Sequence, residues 1–433
     1  MPEIVTEIPG PESRRLAREL RRHESRNVTN VSGQWPVFWE RAEGVNVWDV
    51  DGNRYLDFTS AFAVAGLGHG RGELVEAMQR QSAMLLHGMG DVHPTRMKVE
   101  LCARLSETTY ERWGAGEGKT VLSNSGFEAV ETALKTALLA TGRPGVLAFA
   151  GGYHGLGYGA LLPGGFEKFR TPFAGQLADL TTWLPFPREG DDLAATRERL
   201  AEAERGTIGA VVVEPIQGRG GIVLPPAGFL ALLREWCDGH GALLVFDEIY
   251  TGFNRSGALF ACEHEGVAPD LICLGKALSG GFPISACVGK AAVMDCWPES
   301  TGEALHTSTF LGHPVGCAMA LEALQIHQEP ATAEAVRCVE EWLGSGLREF
   351  KLDGWREVRG RGAMWGAELE DPVEANRIVI ELLRTGYLLL AGGTMGNVLT
   401  FTPPFGIEKP EVRACLAALR EIAEGRDEQA PQE

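Results

Sequence analysis

The sequence predicts an α/β chain: a large domain on a mostly parallel sheet flanked by helices, plus a smaller α+β domain. Three observations carry that prediction. From Gly72 onward, short apolar segments alternate with segments of helical length, the pattern of strands joined by crossover helices. Ser125, Glu214, Asp247 and Lys276 stand at or just past the ends of apolar segments. Near Glu322 the texture changes to a short series of helices and strands.

Residues 11–23 read as a helix with basic positions on its outer face. Residues 38–58 alternate apolar and polar around Asp51-Gly52, a hairpin turn signal. Strands are expected at 119–123, 146–150, 208–213, 242–246 and 271–274, and helices at 127–141, 192–204 and 227–240. In such a sheet ligands bind outside the carboxyl ends of the strands, so the four residues named above converge on one edge. The smaller unit is expected to run as a helix over 331–350, strands over 355–359 and 364–369, and helices over 373–385 and 410–423. The polar stretch 425–433 is expected to fray.

Composition excludes several functions. With 433 residues the chain buries a sizeable core, and 44% hydrophobic with 23% charged residues is ordinary for a globular protein. A formal net charge of -18 argues against nucleic acid and against an anionic membrane surface. The acidic N-terminus has no apolar core of a signal peptide, and no apolar run is long enough to span a bilayer. The nine cysteines show neither C-x-x-C nor zinc-type spacing, so no metal is expected, and they read as reduced thiols of a cytoplasmic protein.

Lys276 follows Leu271-Ile-Cys-Leu-Gly, and Asp247 closes Ala242-Leu-Leu-Val-Phe. Burying an unpaired charge is costly, so a ligand that uses both explains them. Pyridoxal phosphate needs a lysine for its imine and a carboxylate at its ring nitrogen. With these motifs the chain resembles the class III aminotransferases of the pyridoxal-phosphate-dependent fold type I group, from about residue 39 to about residue 423. The resemblance implies that residues 1–60 pack with 326–433 as one small domain, and that 61–325 form the large cofactor-binding domain.

The other motifs extend the likeness. Val121-Leu-Ser-Asn-Ser125-Gly126-Phe127-Glu128 joins a strand to a helix whose first amides suit a phosphate. The family usually carries Ser or Thr where Phe127 stands, so a hydroxyl contact is lost and the amide is kept. In Gly151-Gly152-Tyr153-His154-Gly155 the resemblance implies that Tyr153 covers the face of the cofactor ring, with His154 beside it. Glu214 and Tyr250 join the cofactor residues, Tyr250 at a position where the family commonly has Gln. His306-Thr-Ser308-Thr309-Phe310 resembles a segment that reaches the phosphate of the neighbouring subunit, which implies a homodimer with composite sites.

One pair of positions departs from the family. The usual carboxylate-binding Arg before F-x-P-P is Thr400, and its usual Glu partner is Arg219. A Thr cannot form a bidentate clamp on a carboxylate, and an Arg can. Either the carboxylate site has moved to Arg219, or Arg219 is a solvated loop charge and the substrate lacks a conventional α-carboxylate. Phe62, Arg219 and Thr400 are taken as the substrate-binding residues. The function implied is transfer of an amino group between an amine or amino acid and a keto acid. An amino-acid racemase or epimerase on the same fold is the alternative, and a non-catalytic binding protein is a remoter one.

Overall fold

The computed structural model describes residues 1–203, 206–350 and 353–425, so the stretch expected to fray lies, from residue 426 onward, outside the described residues. The chain divides into two compact units: Gly72–Ala333, and Met1–Arg71 together with the chain from Glu334 onward.

The unit Gly72–Ala333 is built on a seven-stranded sheet in the order Gly118–Ser123, Ser285–Lys290, Leu271–Leu274, Leu243–Asp247, Ile208–Val213, Gly145–Phe149, Thr181–Leu184. Ser285–Lys290 runs antiparallel to both neighbours, and the other adjacent pairs are parallel. All six residues of Ile208–Val213 and all four of Leu271–Leu274 are buried. That is why these strands read as continuous apolar runs: helices cover both sheet faces. Gly126–Thr141 buries Ala129, Val130, Ala133 and Ala137, and Phe229–His240 buries Phe229, Leu230, Leu233 and Trp236. The helix expected over 192–204 is described as Ala194–Glu202, and residue 204 lies outside the described residues. Strands Thr181–Leu184 and Ser285–Lys290 were not expected. The second is Ser-Ala-Cys-Val-Gly-Lys, whose small residues hide its buried character from a pattern reading.

The other unit holds two four-stranded sheets. One joins Trp39–Glu43, Asn46–Asp49, Arg54–Asp57 and, in parallel, Tyr387–Leu388. The hairpin at Asp51-Gly52 is present, with Asp49 Oδ1 accepting from the amides of Asp51 and Asn53 at 3.0 and 2.9 Å. A further turn at Gly44 makes the 38–58 segment three strands rather than two. The second sheet is Trp355–Arg361, Met364–Leu369, Val398–Phe401 and Leu390–Gly392, antiparallel throughout. Helices Pro11–His23, Pro372–Arg384 and Lys409–Glu424, with Pro330–Arg348 from Glu334 onward, complete the unit. Residues 60–71 belong to it because Gly44 and His69 exchange backbone hydrogen bonds of 2.8 and 2.9 Å.

Within this unit the turn Ser60–Ala63 is left-handed, with φ of 46°, 49°, 63° and 65° at four consecutive non-glycine residues. Each such residue costs roughly 1–2 kcal/mol, so the surroundings must impose the shape. Ser60 Oγ donates to the Thr402 carbonyl at 2.6 Å, and Thr402 Oγ1 donates to the Thr59 carbonyl at 3.1 Å. Asp57 Oδ1 accepts from the amide and hydroxyl of Thr59, and its Oδ2 meets His69 Nε2 at 2.7 Å. Phe62 projects from this turn, exposed. Thr400 is buried mid-strand, its hydroxyl donating to the Leu390 carbonyl at 2.9 Å.

Candidate active site

Five loops leave the sheet of Gly72–Ala333 at one edge, and each carries a residue predicted for the site. Asp247 is the last residue of its strand and pairs in register with Cys273 on the next, three residues before Lys276. The two charged groups are therefore neighbours through strand pairing alone. Asp247 is buried, with Oδ2 2.8 Å from His154 Nδ1 and Oδ1 accepting from the Ile249 amide at 3.1 Å. His154 is buried as well. Burial disfavours its protonated form, but the hydrogen bond and charge of Asp247 outweigh that and raise its pKa.

Lys276 has φ of +47°, a left-handed backbone that turns its side chain sharply out of the preceding strand. It keeps some accessible surface, yet protein atoms surround the amine and desolvate it. That desolvation lowers its pKa to about 8, against the pull of Asp247 and Glu214 and with the push of Arg219 and Arg255. The amine sits 4.2 Å from the centroid of the Tyr250 ring. At pH 7–8 a substantial share of this lysine is a neutral nucleophile, which an exposed lysine is not.

Glu214 ties two loops together. One oxygen accepts from the Tyr153 amide at 2.8 Å, the other from the Gly218 amide at 2.9 Å. Burial raises its pKa to about 7, with Asp247 adding to the effect and His154 opposing it. Gly218 has to be glycine, since a Cβ there would lie 2.7 Å from the Tyr250 ring. Arg219, next in sequence, is exposed and lays its guanidinium over Tyr153 at 4.6 Å and over Phe169 at 5.0 Å.

At the helix Gly126–Thr141, Glu128 folds back to accept from the amide and hydroxyl of Ser125, both at 2.8 Å. Gly126 and Phe127 begin the helix, where amides have no intrahelical acceptor. Among the described residues nothing else accepts from them. A Cβ at Gly126 would lie 2.9 Å from Ile249, so the loop after Asp247 packs directly on this helix start. Phe127 does what its sequence position did not suggest: it packs on the Tyr153 loop. A Cβ at Gly155 would come within 2.4 Å of Phe127 Cβ, and one at Gly157 within 2.4 Å of its ring. Ser308 Oγ accepts from Asn124 Nδ2 at 3.2 Å, which places the 306–313 segment beside the same turn. Thr309 is exposed, and His306 lies 3.0 Å from both Thr132 Oγ1 and Lys135 Nζ.

The site residues predicted from Ser125 to Thr309 thus belong to one unit, whereas Phe62 and Thr400 belong to the other. Phe169 escaped the sequence reading because nothing marks an aromatic in the short helix Glu167–Arg170 as the shelf for an arginine. The residues present fit a phosphorylated pyridine aldehyde. A desolvated amine, a buried carboxylate held by a histidine, uncommitted amides at a helix start and a flanking aromatic each match one part of that molecule.

The comparisons with known proteins agree. The family model for aminotransferase class-III matches residues 28–423. A 4-aminobutyrate aminotransferase of Mycobacterium leprae is 34% identical over 94% of this chain and 94% of its own. The 5-aminovalerate aminotransferase DavT of Pseudomonas aeruginosa is 36% identical over 93% of this chain and 97% of its own. Among solved structures, an amine transaminase from an uncultivated Pseudomonas species in its pyridoxal-phosphate-bound form has a TM-score of 0.85 at 28% identity, covering 93% of this chain and 98% of that one. An (S)-enantioselective omega-transaminase from Thermomicrobium roseum has a TM-score of 0.87 at 27% identity, covering 99% and 100%.

Proposed function

The chain belongs to the class III aminotransferases, and on that basis we propose that Lys276 and Asp247 are the pair through which it moves amino groups with pyridoxal phosphate. Bound cofactor supplies an aldehyde to bond to an amine and a protonated ring that draws electrons from the adjacent carbon. Lys276 is the residue that would hold the cofactor through its aldehyde. The same Nζ would be the group placed to take up and return the proton of the substrate carbon. Asp247 would face the ring nitrogen and hold its proton, and the 2.8 Å contact with His154 fixes that carboxylate in place. The Gly126 and Phe127 amides would hold the phosphate, with Ser125 and Ser308 beside them, and the Tyr153 ring would flank the pyridine. Phe62 and Thr400 remain assigned to substrate on sequence grounds.

The observation that carries this reading is the adjacency of a desolvated amine and a buried carboxylate at the ends of two paired strands. Borohydride treatment of the loaded enzyme, then peptide mapping, should place the phosphopyridoxyl group on Lys276. Label on any other lysine overturns the assignment. The enzyme is further proposed to work as a homodimer with Thr309 completing the neighbour's site, and to reside in the cytoplasm, in keeping with its nine unpaired cysteines.

A further inference from the structure

We propose that Arg219 anchors a carboxylate borne by both the amino donor and the keto acceptor, which makes carboxylated compounds the substrate class. The proposal rests on the aminotransferase site described above and adds its specificity. Several other arginines of the fold are paired, among them Arg234 with Asp238 and Asp270 and Arg359 with Glu357 and Glu368. Arg219 is not. In a chain with 58 acidic against 40 basic residues, its guanidinium makes no hydrogen bond or ion pair among the described residues. Glu214, five residues earlier in the chain, turns its two oxygens to the amides of Tyr153 and Gly218.

Position singles it out as well. Gly218 presses on the Tyr250 ring, and the Lys276 amine lies 4.2 Å from the centroid of that same ring. Arg219 therefore emerges beside the reacting amine, and its charge is felt there. The Tyr153 and Phe169 rings, inclined at 68° to one another, flank the guanidinium and restrain it without using its N–H groups. A flat, rigid fork of uncommitted donors is what binds a carboxylate bidentately. Donor and acceptor occupy the site in turn, so one anchor serves both half-reactions.

The test compares each acid with the amine that lacks its carboxylate, using holoenzyme and following the cofactor spectrum. Suitable pairs are 4-aminobutyrate with propylamine and 5-aminovalerate with butylamine. Wild type should favour the acids, and Arg219→Ala should lower kcat/KM for them by about 30-fold, roughly 2 kcal/mol, mostly through KM. The amines, which offer no carboxylate, should lose less than the acids, and an unchanged cofactor spectrum of the holoenzyme shows that the variant folds. Arg219→Lys should recover part of the loss, since it restores charge without the fork. Competitive inhibition by pentanoate, which has no amine, should weaken in parallel with the acids. An unchanged acid-to-amine ratio in Arg219→Ala overturns the proposal, as does an equal loss on both, which makes Arg219 only a cover for Tyr153. Failure of the Lys276 assignment looks different: borohydride labels another lysine, whatever the acid-to-amine ratio.

Discussion

At the scale of single residues, the chemistry comes from two groups pushed away from their behaviour in water. Asp247 is buried yet kept useful because His154 pairs with it. Lys276 is enclosed, and loss of hydration outweighs the attraction of two carboxylates. The sign of the consequence is fixed. Lowering a lysine pKa means that the amine is neutral above about pH 8 rather than above its ordinary 10.5. Capture of pyridoxal phosphate by the cofactor-free protein needs that neutral amine. The capture rate should therefore rise about tenfold per pH unit below pH 8 and level off above it. Stopped-flow absorbance across pH 6.5 to 10 checks this. A rate still climbing tenfold per unit at pH 9.5 means that the lysine is an ordinary exposed one.

At the scale of elements, the site depends on loops held against one another by missing side chains. Gly155 has φ of +107°, and a Cβ there would collide with Phe127 Cβ at 2.4 Å. Gly155→Ala faces both backbone strain and overlap, and a cost of about 2 kcal/mol or more is expected. The strain falls on the loop that carries Tyr153 and His154, so cofactor affinity should drop by about tenfold or more as that loop shifts. Equilibrium dialysis of pyridoxal phosphate measures it, and wild-type affinity in Gly155→Ala shows the contact to be dispensable. These loops also mark what was legible in the sequence. Apolar runs ending in Asp247 and Glu214 announced buried strands and their functional edge, because a fully buried strand has no polar alternation to confuse the reading. The antiparallel strand Ser285–Lys290 was invisible because Ser, Ala and Gly are common to loops and strands alike. The turn Ser60–Ala63 was unreadable for a different reason: its shape is set by Thr402, 342 residues beyond Ser60. The phosphate turn was legible from local capping chemistry, whereas the Phe127 packing and the Arg219 shelf depend on contacts between separate loops.

At the scale of the whole molecule, the unit Gly72–Ala333 carries an apolar face that a lone chain would leave in water. Met84, Leu86, Met89 and Val92 are exposed, and so are Leu305 and Phe310. They form one surface: His87 lies 5.2 Å from Phe310 ring to ring, and Thr307 Oγ1 donates to Asp91 at 2.8 Å. Contiguous apolar surface of this kind marks an interface, and closed twofold pairing is the commonest way to cover it. The face adjoins the phosphate turn through the contact of Ser308 with Asn124. A second copy seated on it would bring segment 306–313 of each chain close to the other's cofactor. Mixing then separates a composite site from a self-sufficient one. Lys276→Ala removes the amine, and Thr309→Asp sets a carboxylate against the phosphate, so each homodimer should be inactive. In a heterodimer one site has both defects and the other has neither. Random re-pairing of equal amounts should restore roughly a quarter of wild-type activity, since half the dimers are mixed and each has one sound site. Light scattering should report a dimer throughout. A monomer that binds cofactor fully, or mixed dimers with no recovery, would place every cofactor contact within a single chain.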